Sequence, residues 1–566
     1  MEEKNKQRGG QSFIYGATIM VVSTAIVKVL GALFRIPLAA LIKPTGMGFY
    51  STAYDLYLPI YALAMAGLPI AVSRITAEYV QKNRYNDVRK TLKMAKRAFL
   101  VTGFSGFFLM LAISYPFVVI TGNGGALLGI FMIAPSVLFC CIMSSYRGYY
   151  EGLRNMYPTA ISTIIEGLGK LILGYGLSYL VIKIYGGVTE QSASVAAAAA
   201  LLGITLGTAL GALFLVFRHK KPGDGITAEM LASSPSAEEG KIIIKNLVAI
   251  GIPVVLGSLV TNIASLIDVT MVQRQLSSAV HAAPDVFNNM YGRFLASEDV
   301  ALSGIPNYLY GVYKGYAFTL YNLVPTITSV IGVSALPVLA MAWTKHNNDE
   351  IRTNIESMVR VTSLVAMPCG IGLIALAYPI LNLLYHGEAS IEISAKILQI
   401  LGFTAVFSGI MSPLNNMLQA IGKQWVPIRN IAVGALLKIV INYLLVGIPQ
   451  INIIGAPIGT LCCYIYIASA NLICLVKYSG VKPKISRSLM RPFLAALCCG
   501  AAAYGVNALL SKVISTRISV LVAIFAAVLA YIAALFIFKA FTKEDLMALP
   551  KGDKLVAFCE KIHFFK

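Results

Sequence analysis

The sequence predicts an all-α membrane protein of 14 transmembrane helices, with two six-helix lobes in a parallel pseudo-repeat and two further C-terminal helices. Three observations predict it. Of 566 residues, 57% are hydrophobic and 13% charged, the balance of a chain whose bulk lies in hydrocarbon rather than water. Apolar spans of bilayer length recur from end to end, at 13–42, 49–76, 98–120, 125–146, 158–182, 193–217, 246–272, 306–342, 361–384, 393–419, 427–447, 453–476, 492–511 and 518–538. The polar seams between spans also repeat. Asp87-Val-Arg…Arg97…Tyr115-Pro116 returns as Glu350-Ile-Arg…Arg360…Tyr378-Pro379, 263 residues later (350 − 87). Arg154-Asn-x-x-Pro158 returns as Lys423-Gln-x-x-Pro427, and Lys170-x-x-x-x-Tyr175 as Lys438-x-x-x-x-Tyr443. Colinear repeats of this kind argue for parallel halves, an arrangement that places a substrate site near the midplane.

The chain divides accordingly. Residues 1–217 form the N-lobe, 218–245 a polar connector, and 246–476 the C-lobe with an outer loop over 273–305. Helices 13 and 14 occupy 477–538, and 539–566 is a tail. With the N-terminus inside, inner segments hold 33 of the 46 lysines and arginines and outer segments 7. That bias orients a multi-pass protein with both termini cytoplasmic. The first span, Ser12 to Ile42, is too long and too charged for a signal peptide, and Pro37 is the expected place for it to kink. Pro59 and Pro69, and Pro325 and Pro337, predict kinks in spans 2 and 8.

Composition excludes several functions. The net charge of +21 lies mostly in short loops between spans, so it sets orientation and implies no nucleic-acid partner. No GxxxxGK[ST] is present, and Glu166-Gly-Leu-Gly-Lys170 is not a phosphate loop. The five histidines lie in loops or the tail, none in HExxH spacing, and no GxSxG occurs. Neither a metal nor a cofactor is expected, nor an enzyme. The cysteine pairs Cys140-Cys141, Cys462-Cys463 and Cys498-Cys499 read as small apolar packing residues.

The remaining six cations lie within apolar spans: Lys28, Arg35, Arg74, Lys170, Lys314 and Lys438. A cation at membrane depth costs several kcal/mol unless it faces a partner or a polar cavity. Lys28 and Arg35 are seven residues apart, on one helix face and about 10 Å apart along the axis. They face a substrate or pair between helices, for instance with Asp55. Asp55 itself either holds an arginine in place or binds a coupling ion. Lys314, in Tyr310-Gly-Val-Tyr-Lys-Gly-Tyr316, sits among rings and glycines that suit close approach of a polar ligand, or an interfacial aromatic belt. Arg74 and Glu78, Arg147 and Glu151, and Glu166 and Lys170 are each spaced for i,i+4 pairing. Lys438 has no acid on its own span, and Asp268 is the nearest acid by topology. Cations outnumber acids in the spans, which favours an anionic cargo, and a diphosphate is the natural partner of arginine and lysine.

At these residues the chain resembles a known family. Lys28-Val-Leu-Gly…Arg35 resembles the first-helix pattern of the MurJ and SpoVB flippases, with lysine where arginine is usual. Gly67-Leu-Pro-Ile-Ala-Val-Ser-Arg74, Tyr146-Arg-Gly-Tyr-Tyr-Glu-Gly…Pro158, Tyr308-Leu-Tyr-Gly-Val-Tyr…Asn322-Leu-Val-Pro and Ser334-Ala-Leu-Pro337 resemble later helices of the SpoVB-like branch. This branch belongs to the multidrug/oligosaccharidyl-lipid/polysaccharide exporter superfamily. The resemblance implies a V-shaped cavity between two lobes, with Lys28, Arg35, Arg74 and Lys314 as ligands of an undecaprenyl-diphosphate-linked saccharide, and a lipid groove formed with helices 13 and 14. Some relatives bind sodium at positions matching Asp268, Lys438, Asn442 and Thr460, where Lys438 would supply a fixed positive charge instead. The expectation is a flippase for lipid II, working by alternating access and as a monomer, with membrane lipids and cell-wall synthases as partners. The alternatives are an exporter of another lipid-linked polysaccharide or teichoic-type unit, a cation-coupled multidrug antiporter, a membrane glycosyltransferase, or a scaffold.

Overall fold

The computed structural model describes residues 13–65, 67–221, 223–298, 300–385 and 389–541. The starting segment and most of the expected tail fall outside them. Among the described residues the chain is helical, without strands, and eleven helices are long and apolar enough to cross a membrane. It is a multi-pass membrane protein. Helices suit this setting because each satisfies its own backbone hydrogen bonds where no water can. Each of the fourteen expected spans falls on helix; among the described residues, eleven helices meet the length and apolarity of a membrane span, and one of them, Thr18–Gln81, covers the first two expected spans.

The ends of these helices follow local chemistry. Thr189 caps Glu190–Lys220 in a reciprocal capping box with Ser192, and Asn347 caps Asn348–Ala375 through the Glu350 N–H. Gly122 and Gly480 close their helices in the left-handed conformation.

Three expectations about local structure are corrected. The first helix, Phe13–Met65, runs through Pro37 and breaks instead at Lys43 (φ 58°, ψ −178°). Lys43 precedes Pro44, whose ring disfavours helical backbone in the residue before it. The expected outer loop 273–305 is largely helix: Gly240–Ala282 and Pro284–Glu298 span most of it. Span 8 is not one kinked helix but a series: Ile305–Gly311, a π-helix Val312–Ala317, Phe318–Tyr321, and Leu323–Thr344 carrying Pro325 in its first turn.

The chain forms two compact units. The first comprises 1–277 and 298–311, the second 278–297 and 312–566. The helix Gly240–Ala282 thus lies mostly with the first unit, whereas the sequence repeat assigns span 7 to the C-lobe. Side-chain hydrogen bonds tie it there. Gln273 donates to the Thr52 hydroxyl (2.6 Å), Asn123 donates to Thr52 (2.9 Å) and Asn307 (2.8 Å), and Asn307 donates to the Thr45 carbonyl (2.9 Å). All five are buried, so each bond replaces one that water cannot supply. Gly48 makes room for this knot, since a Cβ there would strike Asn307.

The connector is also built into the first unit. Arg84 bridges Asp87 (2.7 Å) and Glu238 (2.7 Å), Tyr79 donates to Glu238 (2.8 Å), and the Glu238 N–H donates to Asp87 (2.7 Å). In the second unit, Leu376, Cys499, Ala503, Ala523 and Ala527 pack the last two helices, Ile485–Leu510 and Thr516–Ile537, onto the segment ending at Ala375. The Tyr531 hydroxyl fastens the contact by donating to the Leu364 carbonyl (2.7 Å). The described cysteines are free thiols, and five of the six in adjacent pairs sit on buried or half-buried faces.

Candidate functional site

In the first unit the two halves of the broken helix Phe13–Met65 bring charge and rings together. The half before Lys43 carries Lys28 and Arg35, both half-buried. The half after it carries Tyr50, Tyr54, Tyr57 and Tyr61 at spacings of four, three and four, so the rings share one face. Successive centroids are 5.9, 5.8 and 5.4 Å apart, and Phe34 meets Tyr50 at 6.4 Å.

Lys170 enters this wall from another helix. Its ammonium lies 5.4 Å from the Phe34 ring and 5.7 Å from the Tyr54 ring, a geometry that attracts a desolvated cation. Arg35, Tyr50, Tyr54, Asp55 and Glu166 are all within electrostatic reach of this cluster. The carboxylates are engaged: Tyr310 donates to Asp55 (2.6 Å), and Arg147 donates to Glu166 (3.0 Å) and to the Ser162 hydroxyl (3.0 Å).

Two things place Lys170. Residues Lys170–Gly174 form a π-helical turn within an otherwise α-helical rod, which shifts the register of whatever follows. The facing helix presents Gly203, Gly207 and Gly211 in a row. A Cβ on Gly207 would lie 2.7 Å from the Lys170 nitrogen and 2.8 Å from the Glu166 carbonyl, and one on Gly203 would strike Gly174. Small residues at four-residue spacing let membrane helices close to backbone contact.

The second unit holds Lys314, which is buried and also lies in a π-helix, Val312–Ala317. Its ammonium is 4.7 Å from the Phe318 ring and 5.7 Å from Tyr313. Tyr313 hydrogen-bonds the Thr460 hydroxyl (3.2 Å), and Tyr316 stacks on Tyr385 at 4.1 Å. Thr460, Asn442 and Lys438 gather nearby. Gly459 leaves space for the Asn442 side-chain oxygen, and Lys438 is within electrostatic reach of Tyr464. Asp268, the remaining member of that expected set, is buried in the first unit.

Several pairings differ from the spacing rule. Glu78 binds Lys82 at 2.6 Å rather than Arg74, which is exposed, because Glu78 can reach either i,i+4 neighbour and the one nearer the helix end is freer to adjust. Glu166 binds Arg147, fifteen residues beyond the expected Glu151, because the two helices lie side by side. Lys170 is thereby given over to aromatic faces. Its place in a cation cluster was not foreseen. The Gly203-x-x-x-Gly207-x-x-x-Gly211 row was the signal that marks the close approach.

These features define a multi-pass helical membrane protein with a cluster of cations and aromatic rings within its first unit. A solved lipid II flippase MurJ in an inward closed conformation superposes with a TM-score of 0.63 at 16% identity, covering 91% of this chain and 98% of that one. An inward-facing multidrug resistance MATE family transporter of the MOP superfamily superposes with a TM-score of 0.59 at 15% identity, covering 81% of this chain and 99% of that one. The chain belongs to the polysaccharide biosynthesis protein family, which matches residues 13–343, and the MatE family matches 314–444. Relatives from Bacillus subtilis (strain 168) include the lipid II flippase MurJ, 24% identical over 483 residues (83% of this chain, 84% of the relative). Stage V sporulation protein B is 23% identical over 562 residues (96% and 99%). The likeness read from the first-, second-, fourth- and eighth-helix motifs is therefore borne out.

Proposed function

We propose that this chain is a flippase that carries an undecaprenyl-diphosphate-linked cell-wall precursor, lipid II, from the inner to the outer leaflet by alternating access. The observation that carries the reading is the cluster of the first unit. Arg35, Arg147 and Lys170 meet two carboxylates, Asp55 and Glu166, and both carboxylates are already engaged. Positive charge in excess, with Lys170 set on ring faces, suits a diphosphate. Lys28 shares the helix face of Arg35, and Lys314 offers the same chemistry in the second unit. The naming of one relative as a lipid II flippase supports the choice of cargo. Both termini are cytoplasmic in this reading, fourteen helices span the membrane, and Arg74 meets the head group at the inner end of its helix.

A cation-coupled multidrug antiporter is the second reading, favoured by the MatE match over 314–444. The two separate on charge. In proteoliposomes, labelled lipid II and a neutral-headed analogue are offered to the wild type, Lys28→Ala and Arg35→Ala. The flippase reading expects the wild type to move lipid II selectively and both variants to lose most of that transport. Equal movement of both lipids by all three proteins, or proton-coupled drug efflux that survives both substitutions, refutes it.

A further inference from the structure

The geometry points to a second anion site, lined by other residues than the cluster above and independent of what the transporter carries: a basic pocket in the first unit that takes a phosphate-bearing ligand. It is a cavity of about 470 Å³ lined by Arg89, Lys93, Lys96, His219, Lys220 and Asp224, a volume within the range of small-molecule sites. Arg89, Lys93 and Lys96 are spaced i, i+4 and i+7 on the helix Tyr85–Thr121, so they share one face. Lys220 comes from the end of Glu190–Lys220. Four cations therefore border a space whose one carboxylate is Asp224.

That carboxylate is turned to structural use. Its side chain is 6% exposed. It accepts from the Tyr149 hydroxyl (2.8 Å) and the Ile226 N–H (3.1 Å), and lies 3.4 Å from the Arg89 guanidinium. Gly223 and Gly225, at φ +78° and +80°, allow the tight loop that brings Asp224 inward. Arg218 donates to the Gly223 carbonyl (3.1 Å), and Arg89 to the Ile226 carbonyl (3.3 Å). His219 forms the floor, hydrogen-bonded to Tyr150 (3.3 Å) and ringed by Tyr146 and Tyr149. Lys96 rests 4.2 Å over the Tyr146 ring.

A charge bias for orientation needs a number of loop cations, not their convergence. Here a braced loop holds them around one cavity. Like charges one turn apart on a helix repel, and among the described residues no carboxylate lies within ion-pair distance of Lys93, Lys96 or Lys220. A phosphate offsets that repulsion and accepts from several donors at once. It can come from the head group of an anionic phospholipid, since basic pockets between membrane helices bind such groups, or from a soluble phosphate ester.

The test uses the full-length purified protein. Inorganic pyrophosphate is titrated calorimetrically in neutral detergent. Lysine acylation, read by mass spectrometry, is compared in phosphatidylcholine nanodiscs with and without phosphatidylglycerol. The variant is Lys93→Gln with Lys96→Gln and Lys220→Gln. The control of equal charge loss is Lys345→Gln with Lys482→Gln and Lys484→Gln. The all-arginine version of the first set serves as rescue and as a check of folding. Pyrophosphate affinity that falls about tenfold in the glutamine variant and is kept in the control and the rescue, or protection of Lys93, Lys96 and Lys220 from acylation by phosphatidylglycerol in the wild type and in the control, supports the site. Pyrophosphate binding in detergent assigns a soluble ligand, and protection by phosphatidylglycerol alone assigns a lipid head group. Neither pyrophosphate binding nor protection by phosphatidylglycerol, or an equal loss in the control, overturns the site. Both readouts are independent of lipid II transport.

Discussion

Lys170 and Lys314 belong to different units but are set up by one device. Each sits in a π-helical stretch, and each rests its ammonium on two aromatic rings. The difference is company. Lys170 shares its surroundings with Arg35 and with carboxylates that other residues engage, on a helix pressed against a glycine row. Lys314 is deeply buried, with its ammonium against Phe318 and Tyr313. The first unit concentrates charge, whereas the second shields the Lys314 ammonium behind rings. A π-turn is a costly irregularity that recurs at functional positions, and finding one under each lysine argues that both are placed for use.

If the first unit carries most of the phosphate recognition, removing its charge has the largest effect. Arg35→Gln with Lys170→Gln is expected to lower lipid II transport about a hundredfold or more in proteoliposomes, from two charge-assisted contacts of roughly 1.5–3 kcal/mol each. Lys314→Gln is expected to lower it about tenfold in the same assay, consistent with one such contact. Equal losses would erase the asymmetry between the units.

The packing beneath Lys170 is the next lever. Gly207→Ala drives a methyl into the Lys170 and Glu166 backbone and is expected to cost about 1–3 kcal/mol, read as a lower unfolding midpoint in detergent. Gly176→Ala, where nothing lies within 4 Å, is expected to leave that midpoint unchanged. Tyr310→Phe removes one donor from the buried Asp55 carboxylate. It is expected to cost about 1–3 kcal/mol by the same readout, nearer the lower end because other partners of Asp55 remain.

The smallest effect is a pH response confined to the connector. Burial opposes the charged form of Asp224, but hydrogen bonds from Tyr149, the Ile226 N–H and Arg89 outweigh it and hold the carboxyl below its ordinary 3.8. The unfolded connector therefore takes up the proton first as pH falls. The stabilisation is fully present above the ordinary value and fades as pH drops through the depressed one. Amide exchange over 223–239 is expected to stay protected and flat from about pH 5 to 8, with protection falling only at lower pH. Loss of protection near neutrality would mean that Asp224 does not anchor the loop.

The helical membrane architecture was legible because hydrocarbon allows few solutions, and the apolar spans mark them. Lys28, Arg35 and Lys314 could be singled out because a charge stands out against an apolar background. What could not be read is what depends on a neighbour across space. The break fell at Lys43 rather than Pro37 because a proline inside a helix need not break it, while the residue before a proline is pushed out of helical backbone. Glu166 found Arg147 on an adjoining helix, and no spacing rule along one helix reports that. The π-turns leave no periodic trace, since one extra residue in a uniformly apolar stretch changes no pattern. The helices within 273–305 were missed because their polar faces resemble loop composition.

The central claim is that positive charge held on aromatic faces binds a diphosphate head group. Its most direct test is the affinity of the purified protein for lipid II against that for undecaprenol, which has the same tail and no charge, measured for the wild type and for Arg35→Gln with Lys170→Gln. The account predicts that the wild type prefers lipid II by about a hundredfold and that the double variant nearly loses the preference. An undiminished preference in the double variant, or none in the wild type, would contradict it.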